Sequence, residues 1–259
     1  METRMLTQPQ DDHLNIFRLP IGWQYLVNFD LGGPLNQTIF QEYDGLMQSC
    51  LKTGAYCILD VHNYARWNNT IIGQGGPTNE QFASLWVQLA QHYRNNRQVI
   101  FGIMNEPHDR TSSFSSTDLP STNEILAVDV AIWAETVQYV VSAIRHTGAE
   151  QNIISLPGTS YTSAEYFVSD GSFGNLSRVE NPGGGYENLI FDVHKYLDID
   201  NSACSPPTSS MHNSKILVWA EADSLHRRHT RRMRHKQHQQ YLRPSRHHSP
   251  STPPHGHPL

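Results

Sequence analysis

Residues Val99–Glu106 read VIFGIMNE, an apolar run that ends in an amide and a carboxylate. Apolar residues follow one another here without alternating with polar ones, which is typical of a parallel strand buried on both faces. The same kind of run recurs four times along the chain. The four runs are Leu14–Leu19 (LNIFRL), Cys57–His62 (CILDVH), Asn152–Leu156 (NIISL) and Asn188–Tyr196 (NLIFDVHKY). The sequence therefore predicts five buried parallel strands.

Amphipathic helical patterns separate several of these strands. They run from about Thr38 to Leu51, from Asn79 to Tyr93 and from about Val130 to Arg145. Repeated β–α units of this length predict either a βα barrel or a doubly wound sheet. No G-x-G-x-x-G or P-loop sequence follows any of the strands, which counts against a nucleotide-binding sheet.

Polar side chains near the strand ends favour the barrel. Arg18, His62, Asn105–Glu106, His194 and Tyr196 come from four different strands, each toward the carboxyl end. A (β/α)8 barrel gathers its chemistry at that end of its strands. The length of 259 residues also suits a single barrel of this class. We therefore expect an α/β chain with a (β/α)8 TIM-barrel fold.

Charge divides the chain into two parts. Residues 224–259 carry eight Lys/Arg and no acidic residue, whereas the first 223 residues have 11 basic and 24 acidic residues, a net charge of −13. An acidic body argues against a nucleic-acid partner. The chain contains no run of 18 apolar residues, which argues against a membrane-spanning segment.

Both ends of the chain lack the pattern of a packed domain. Residues 1–13 are polar and show no apolar core of a signal peptide, so we expect an irregular segment there. Residues 224–259 hold eight of the fifteen histidines and hardly any apolar side chains, so we expect a disordered tail. The tail histidines show no repeated paired spacing, and we expect no metal site. The folded body is thus predicted over residues 14–223.

The three cysteines are Cys50, Cys57 and Cys204. Cys50 and Cys57 lie seven residues apart, across a predicted helix end, a turn at Gly54 and a strand start, so a short disulfide is geometrically feasible. Three buried thiols are an equally open interpretation of the spacing.

The tripeptide Asn105-Glu106-Pro107 is the sharpest chemical feature of the sequence. A carboxyl group at the mouth of a barrel, beside an apolar strand, is partly desolvated. We therefore expect the pKa of Glu106 to be raised toward the range that a general acid needs. Asn105 beside it can hydrogen-bond a sugar 2-hydroxyl. A Glu-Pro turn without any function is also common, so the tripeptide has to be interpreted together with the rest of the chain.

Four longer segments supply that context. They are Asn15–Tyr25 (NIFRLPIGWQY), Gly54–Gly76 (GAYCILDVHNYARWNNTIIGQGG), Phe101–His108 (FGIMNEPH) and Leu189–Asp198 (LIFDVHKYLD). Through them the chain resembles, from about Leu14 to Ser202, the fungal endo-β-1,4-glucanases (cellulases) of glycoside hydrolase family 5. The resemblance implies a (β/α)8 barrel, endo-acting hydrolysis of β-1,4-glucosidic bonds with retention, and no cofactor. It also implies an extracellular monomer whose partner is a β-glucan polysaccharide.

The resemblance also implies residue roles. Glu106 matches the acid/base of the family. The residues that match the shell orienting the carboxylates and the sugar are Arg18, His62, Asn105, His194 and Tyr196. A forked guanidinium can hold a nucleophilic carboxylate ionised, which suits Arg18. In the same family Cys50 and Cys57 match a bridged pair, and Cys204 matches a cysteine whose partner lies in sequence absent here.

Aromatic rings are expected along the cleft because sugar faces stack on flat rings. Trp67, together with Tyr64 and Trp23, is predicted in a loop just after a strand and is a candidate for substrate binding. Tyr161 follows the strand NIISLPG, where the family usually has a Trp, so we expect a weaker sugar platform there.

The barrel that the resemblance implies is incomplete in this chain. The five runs correspond to strands 2 to 6 of the family, strand 7 is doubtful, and strands 1 and 8 are missing. The nucleophile of the family, a Glu in a Thr-Glu-Thr-Gly-Gly context, is also missing. The nearest candidate is Glu221 in residues 215–222 (KILVWAEA), although it follows His194 by only 27 residues and no helical pattern lies between them.

Residues Arg110–Ala127 (RTSSFSSTDLPSTNEILA) differ from their flanks in composition and are predicted to be an inserted segment. With a truncated start and a divergent end, this indicates a defective or mispredicted gene product; a genuine divergent protein with a disordered basic tail is the alternative. Two other functions stay open. One is a related β-mannanase or β-1,3-glucanase, which shares the Asn-Glu pair, and the other is a non-catalytic fragment.

Overall fold

A computed structural model of the protein describes residues 14–111, 125–196 and 216–221. The predicted irregular N-terminus, the predicted tail, Cys204 and most of the predicted insertion lie outside these residues. All the elements described below belong to the compact unit Met1–Asp223. Within the described ranges, no helix is long and apolar enough to cross a membrane.

The elements follow the order of the predicted β–α repeats. They are β1 (Ile16–Ile21), α1 (Trp23–Leu26), α2 (Gln37–Leu51), β2 (Tyr56–Val61), β3 (Arg66–Trp67), β4 (Thr70–Ile71), α3 (Asn79–Tyr93), β5 (Val99–Gly102), β6 (Arg110–Thr111), β7 (Ile125–Leu126), α4 (Val130–His146), β8 (Ile154–Pro157), α5 (Ser172–Leu176), β9 (Leu189–Lys195) and β10 (Ile216–Glu221). The five predicted strands and three predicted helices are all present, and their ends differ from the prediction by at most four residues.

Six strands form one sheet in the order β1-β2-β5-β8-β9-β10. The first five are parallel and lie side by side in chain order. Sequential parallel strands with a helix between neighbours are the winding of a βα barrel, whereas a doubly wound sheet reverses its strand order at a switch point. The barrel alternative is therefore correct. The strands described here do not close, as expected for an incomplete barrel.

Side-chain caps set the starts of the three long helices. Asn36 accepts a hydrogen bond from the backbone N–H of Ile39 at the start of α2. Thr78 forms a capping box with Gln81 at the start of α3, and Asp129 accepts from two backbone amides of α4. Caps of this kind stabilise a helix by about 1 kcal/mol each. The helices thus begin where the sequence offers a side-chain acceptor.

The core lies between the sheet and the helices. Phe101 of β5 contacts Trp86 of α3 edge-on, with ring centroids 5.9 Å apart. Trp133 of α4 donates its indole N–H to the carbonyl of Pro157, at 2.8 Å. Every residue of β5 is buried, as the uninterrupted apolar run predicts. This packing fixes the strands and hence the positions of their carboxyl ends.

The strand β10 differs from the seventh barrel strand that the sequence suggested. It pairs with β9 in the antiparallel sense, with Ile216 opposite Lys195 and Glu221 opposite Ile190. Glu221 therefore lies at the amino end of β9, four residues or about 13 Å from the level of His194. The interpretation of Glu221 as a nucleophile beside Glu106 is wrong in this geometry. The connection from β9, 20 residues without a helical pattern, suits antiparallel neighbours and is too short for a helical crossover.

Cys50 and Cys57 form a disulfide, so of the two open alternatives for this pair the bridge is correct. Their Cα atoms lie 6.2 Å apart. The bond joins the last turn of α2 to the beginning of β2, where a turn at Gly54 reverses the chain.

The strands β6 and β7 form a short antiparallel ladder in which Arg110 lies opposite Leu126. Just outside the ladder, the carboxylate of Asp109 accepts a hydrogen bond from the backbone N–H of Val128, at 2.8 Å. The two ends of the predicted insertion, residues 110–127, therefore lie side by side. That these residues are an insertion stays a prediction.

Candidate active site

Polar side chains from four parallel strands meet at the carboxyl end of the sheet. Arg18 reaches there from the middle of β1, whereas the sequence suggested a position nearer the strand end. The other members of the site are Asp60 and His62 at the end of β2, Asn105 and Glu106 beyond β5, and Asp192, His194 and Tyr196 at the end of β9.

Glu106 lies four residues beyond β5 and is 6% exposed. Its backbone adopts a φ of 42°, in the left-handed region that costs a non-glycine residue about 1–3 kcal/mol. Oε1 of Glu106 lies 2.6 Å from Nδ1 of His194 and accepts a hydrogen bond from the hydroxyl of Tyr196 at 3.0 Å. Two residues of the predicted shell thus contact the predicted acid/base directly. The burial is the condition for a raised pKa of Glu106, which itself stays a prediction.

Arg18 connects the site through its guanidinium group. Nη2 and Nε lie 2.9 and 2.8 Å from the two carboxylate oxygens of Asp60. Nη1 donates to Asp192 at 3.2 Å, and Nη2 also donates to the side-chain oxygen of Asn105 at 3.0 Å. Both aspartates are buried, so this planar fork supplies the cation that their charges require.

Electrostatics keeps this cluster ionised. Burial alone would lower the pKa of Arg18, but the charges of Asp192 and Asp60 outweigh it, and the pKa lies above its ordinary value. Burial alone would raise the pKa of Asp60, but hydrogen bonds with His62 and Arg18 and the charge of Arg18 hold that pKa below its ordinary value. Arg18 and Asp60 are therefore both charged at neutral pH.

His62 lies at the rim of the site, with 35% of its side chain exposed. Its Nδ1 is 2.8 Å from Asp60, and its Nε2 is 3.2 Å from the hydroxyl of Tyr64. Burial and the charges of Glu106 and Asp60 raise the pKa of Tyr64, so its hydroxyl keeps its proton at neutral pH. His62 is thus oriented from both ring nitrogens.

Asn105 is buried, with 1% of its surface exposed. Its side-chain oxygen accepts from Arg18, which points the amide in one direction. Within the described part of the chain, Nδ2 of Asn105 has no hydrogen-bond partner. A buried donor without a partner is rare in native proteins, and an acceptor on a bound ligand would satisfy it.

Trp67 does not present a free ring face to the site. The residue is 6% exposed and packs edge-on against Trp23, with ring centroids 4.8 Å apart. Trp23 is fully buried and packs in turn against Phe82. The prediction of Trp67 and Trp23 as sugar platforms is therefore wrong in this structure, because the β3–β4 hairpin turns Trp67 into the core.

A row of three rings, Tyr64, His108 and Tyr161, lies beside Glu106, and we call it the aromatic row. Tyr64 and His108 meet edge-on at 5.3 Å, and His108 stacks on Tyr161 at 4.0 Å with 11° between the ring planes. Nδ1 of His108 is 2.8 Å from the backbone carbonyl of Glu106. Tyr64 and Tyr161 are 36% and 49% exposed. The row offers flat rings to a ligand at the site.

Sequence reasoning missed Asp60, Asp192 and His108. The two aspartates carry a signal that could have found them, because each precedes a histidine by two residues in the repeated tripeptide Asp-Val-His. Residues two apart on a strand face the same side, and an acidic residue inside an apolar strand needs a partner. In the part of the chain that is described, no three His, Cys, Asp or Glu side chains are grouped so as to hold a metal ion.

Comparison with known proteins gives a family match. The model described as cellulase (glycosyl hydrolase family 5) matches residues 1–234. The chain is 58% identical over 192 residues to endoglucanase EG-II of Hypocrea jecorina, which is 74% of this chain and 42% of that protein. It is 46% identical over 194 residues to manganese dependent endoglucanase Eg5A of Phanerodontia chrysosporium, 74% of this chain and 45% of that one. The chain thus spans somewhat less than half the length of these relatives.

Solved structures agree with the sequence match. The crystal structure of Cel5A (EG2) from Hypocrea jecorina (Trichoderma reesei) superposes with a TM-score of 0.70 at 55% identity, covering 78% of this chain and 56% of that one. XacCel5A in complex with cellopentaose superposes with a TM-score of 0.67 at 31% identity, covering 80% of this chain and 60% of that one. The chain therefore belongs to glycosyl hydrolase family 5.

Proposed function

We propose that the chain carries the acid/base half of an endo-acting β-1,4-glucanase that uses the retaining two-carboxylate mechanism, with Glu106 as the acid/base. The observation that carries the proposal is the setting of Glu106. Its buried carboxyl group is held by His194 and Tyr196 beside Asn105, an amide donor with no partner among the described residues. In a retaining glycosidase such a group protonates the leaving oxygen and then takes a proton from water.

The contacts assign parts to the surrounding groups. His194 and Tyr196 both contact Oε1 of Glu106, so we place the proton for the leaving oxygen on Oε2. Nδ2 of Asn105 would donate to a sugar 2-hydroxyl, an interaction that strengthens in the transition state. The aromatic row would stack on sugar faces, with Tyr161 as its most exposed ring.

The relatives favour β-1,4-glucan as the substrate. Those compared above are named endoglucanases, and one solved neighbour holds cellopentaose. No comparable match points to a β-mannanase or a β-1,3-glucanase among them. The Cys50–Cys57 disulfide supports an extracellular location, since such bonds persist in oxidising compartments. We propose an extracellular monomer that acts on a polysaccharide without a cofactor.

A specific observation favours a second candidate, a chain that binds glucan with little or no turnover. A retaining mechanism needs a nucleophilic carboxylate about 5–5.5 Å from the acid/base. Glu221 lies at the wrong end of β9, and Asp60 and Asp192 are held in buried ion pairs with Arg18. The described residues therefore offer no free carboxylate in the nucleophile role.

Binding and hydrolysis measured together separate the two candidates. The purified chain is titrated calorimetrically with cellopentaose and assayed on soluble β-1,4-glucan, β-1,3-glucan and β-mannan. We expect cellopentaose to bind and Tyr161→Ala to weaken binding by roughly 3- to 10-fold, the scale of one ring contact. Tyr56→Ala is the matched control, since Tyr56 is equally exposed but lies at the opposite end of β2. Equal responses to the three polysaccharides, or binding that ignores Tyr161→Ala, would contradict the proposal.

A further inference from the structure

We propose that Asp192 is a positioning residue that keeps Nε2 of His194 protonated, so that Glu106 and His194 share one proton across their 2.6 Å contact. The inference rests on the proposed role of Glu106 and deepens it by naming where the proton of the acid is kept. Three observations carry it: the two competing neighbours of Nε2, the hydrogen bonds of Asp192, and the charge of the cluster.

His194 is 1% exposed, so its ring nitrogens must be satisfied by protein groups. Nδ1 faces Glu106. Nε2 faces two groups at the same distance of 3.0 Å, Oδ1 of Asp192 and Nη1 of Arg18. A carboxylate only accepts hydrogen bonds and a guanidinium only donates them. Nε2 therefore carries a hydrogen if Asp192 is its partner and a lone pair if Arg18 is.

Arg18 has other acceptors. Its Nε and Nη2 reach Asp60, Nη2 also reaches Asn105, and Nη1 donates to Oδ2 of Asp192. Charged acceptors form stronger hydrogen bonds with a guanidinium than a neutral imidazole does. The arginine thus loses little when Nε2 of His194 does not accept from it.

Asp192 would lose more. Within the described ranges its hydrogen-bonding partners are Arg18, at Oδ2, and His194, at Oδ1, and the residue is 2% exposed. A lone pair on Nε2 would leave Oδ1 facing another acceptor. A buried polar atom left without its partner costs about 1–3 kcal/mol, and more when it is charged. The geometry therefore favours a hydrogen on Nε2 that is donated to Asp192.

The charge of the cluster adds a further proton. The ionisable groups around His194 are Glu106 beyond β5, Asp192 in β9, Asp60 in β2 through Arg18, Arg18 in β1 and Tyr196 beyond β9. Three carboxyl groups face one guanidinium, which favours uptake of a proton. With Nε2 already protonated, that proton lies on Nδ1 or on Glu106, and the two sites titrate as one pair.

This arrangement serves both steps of a retaining reaction. In the first step the O–H bond of Glu106 breaks and its proton bonds to the leaving glycosidic oxygen as the C–O bond breaks. Nδ1 of His194 is then left with a lone pair beside the Glu106 carboxylate. That repulsion makes the pair a stronger base for the second step, in which the attacking water returns a proton to it.

Nitrogen-15 NMR of the histidine rings tests the inference without any need for turnover. Long-range ¹H–¹⁵N spectra of the full chain are recorded from about pH 5 to about pH 9, which brackets the ordinary histidine pKa. The His194 signals are identified by their loss in His194→Asn. We expect Nε2 to show the shift of a protonated nitrogen over the whole range. Asp192→Ala should convert it to an unprotonated acceptor, and Asp60→Ala, the matched control, should not.

An unprotonated Nε2 in the wild-type chain would overturn the inference, and so would an Nε2 that stays protonated in Asp192→Ala. The wild-type spectrum decides alone if that variant does not fold. The proposed function fails separately, because loss of glucan binding or hydrolysis leaves the ring spectra unchanged.

Discussion

Asp60 shows how a single residue ties the stability of the fold to the site. Its carboxylate is 0% exposed and bonded to both Arg18 and His62. Removing the partner of a buried charge costs about 3–5 kcal/mol, whereas an exposed pair such as Lys195 and Glu165 contributes about 1 kcal/mol or less. The groups that arrange the site are therefore also among those that hold the strands together.

The chain should lose stability in acid through Asp60. Its pKa is lower in the folded state than its ordinary value. Such a group stabilises the fold above the unfolded pKa and loses that contribution as the pH falls through the folded pKa. We expect the free energy of unfolding in urea to fall below about pH 4. In Asp60→Asn the fall should be shallower, and parallel curves for the two proteins would contradict this account.

At the residue scale the sequence predicted Glu106, Arg18, Asn105, His194 and Tyr196, and the structure brings these five together. It did not predict the burial of Trp67, because a loop of known length can turn a ring either toward the cleft or toward the core. It also did not predict Asp60 and Asp192 as partners of Arg18. Their signal is a local spacing within strands, whereas attention to the strand ends selects the more exposed groups.

The disulfide is the first element-scale feature with a measurable effect. Cys50 and Cys57 close a loop of seven residues between α2 and β2. Restricting the unfolded chain by a loop of this size stabilises the fold by about 2–3 kcal/mol. We expect the double variant Cys50→Ser/Cys57→Ser to lose that much free energy of unfolding. Cys204→Ser leaves the bond intact and is the control; equal stability of all three proteins would show that the disulfide contributes nothing.

The segment 110–127 gives a second prediction at this scale. Its ends meet in the ladder of β6 and β7, and Asp109 is already bonded to Val128. Joining those two residues directly should change the free energy of unfolding by less than about 1 kcal/mol, since a shorter loop costs little to close. Thermal unfolding followed by circular dichroism measures this. Deleting the equally long segment 160–177, with buried Thr162, Ser172 and Leu176, should unfold the chain. Unfolding by both deletions would contradict the prediction.

The elements were predictable where burial dictates the pattern. Strands covered on both faces read as continuous apolar runs, and capped amphipathic helices show their starts, so β2, β5, α3 and α4 follow from the sequence. The direction of β10 did not follow. An apolar run reads the same for a parallel and an antiparallel strand, and only the length of the connection before it distinguishes them.

At the scale of the whole molecule, five parallel strands in chain order place their polar groups at one end of the sheet. That arrangement explains how a chain spanning less than half of its curated relatives still assembles Glu106 with its shell. It also limits what these residues do alone, because the acid/base is present and the candidate nucleophile Glu221 lies at the other end of β9. We therefore expect weak hydrolysis or none from this chain.

The release of reducing ends from soluble β-1,4-glucan tests the central claim most directly. The full chain, Glu106→Gln and Glu221→Gln are assayed side by side at equal concentration. The account predicts a low rate for the full chain, the same rate for Glu221→Gln, and a loss of about 10³-fold, to background, for Glu106→Gln. Hydrolysis that survives Glu106→Gln, or that disappears in Glu221→Gln, would contradict it.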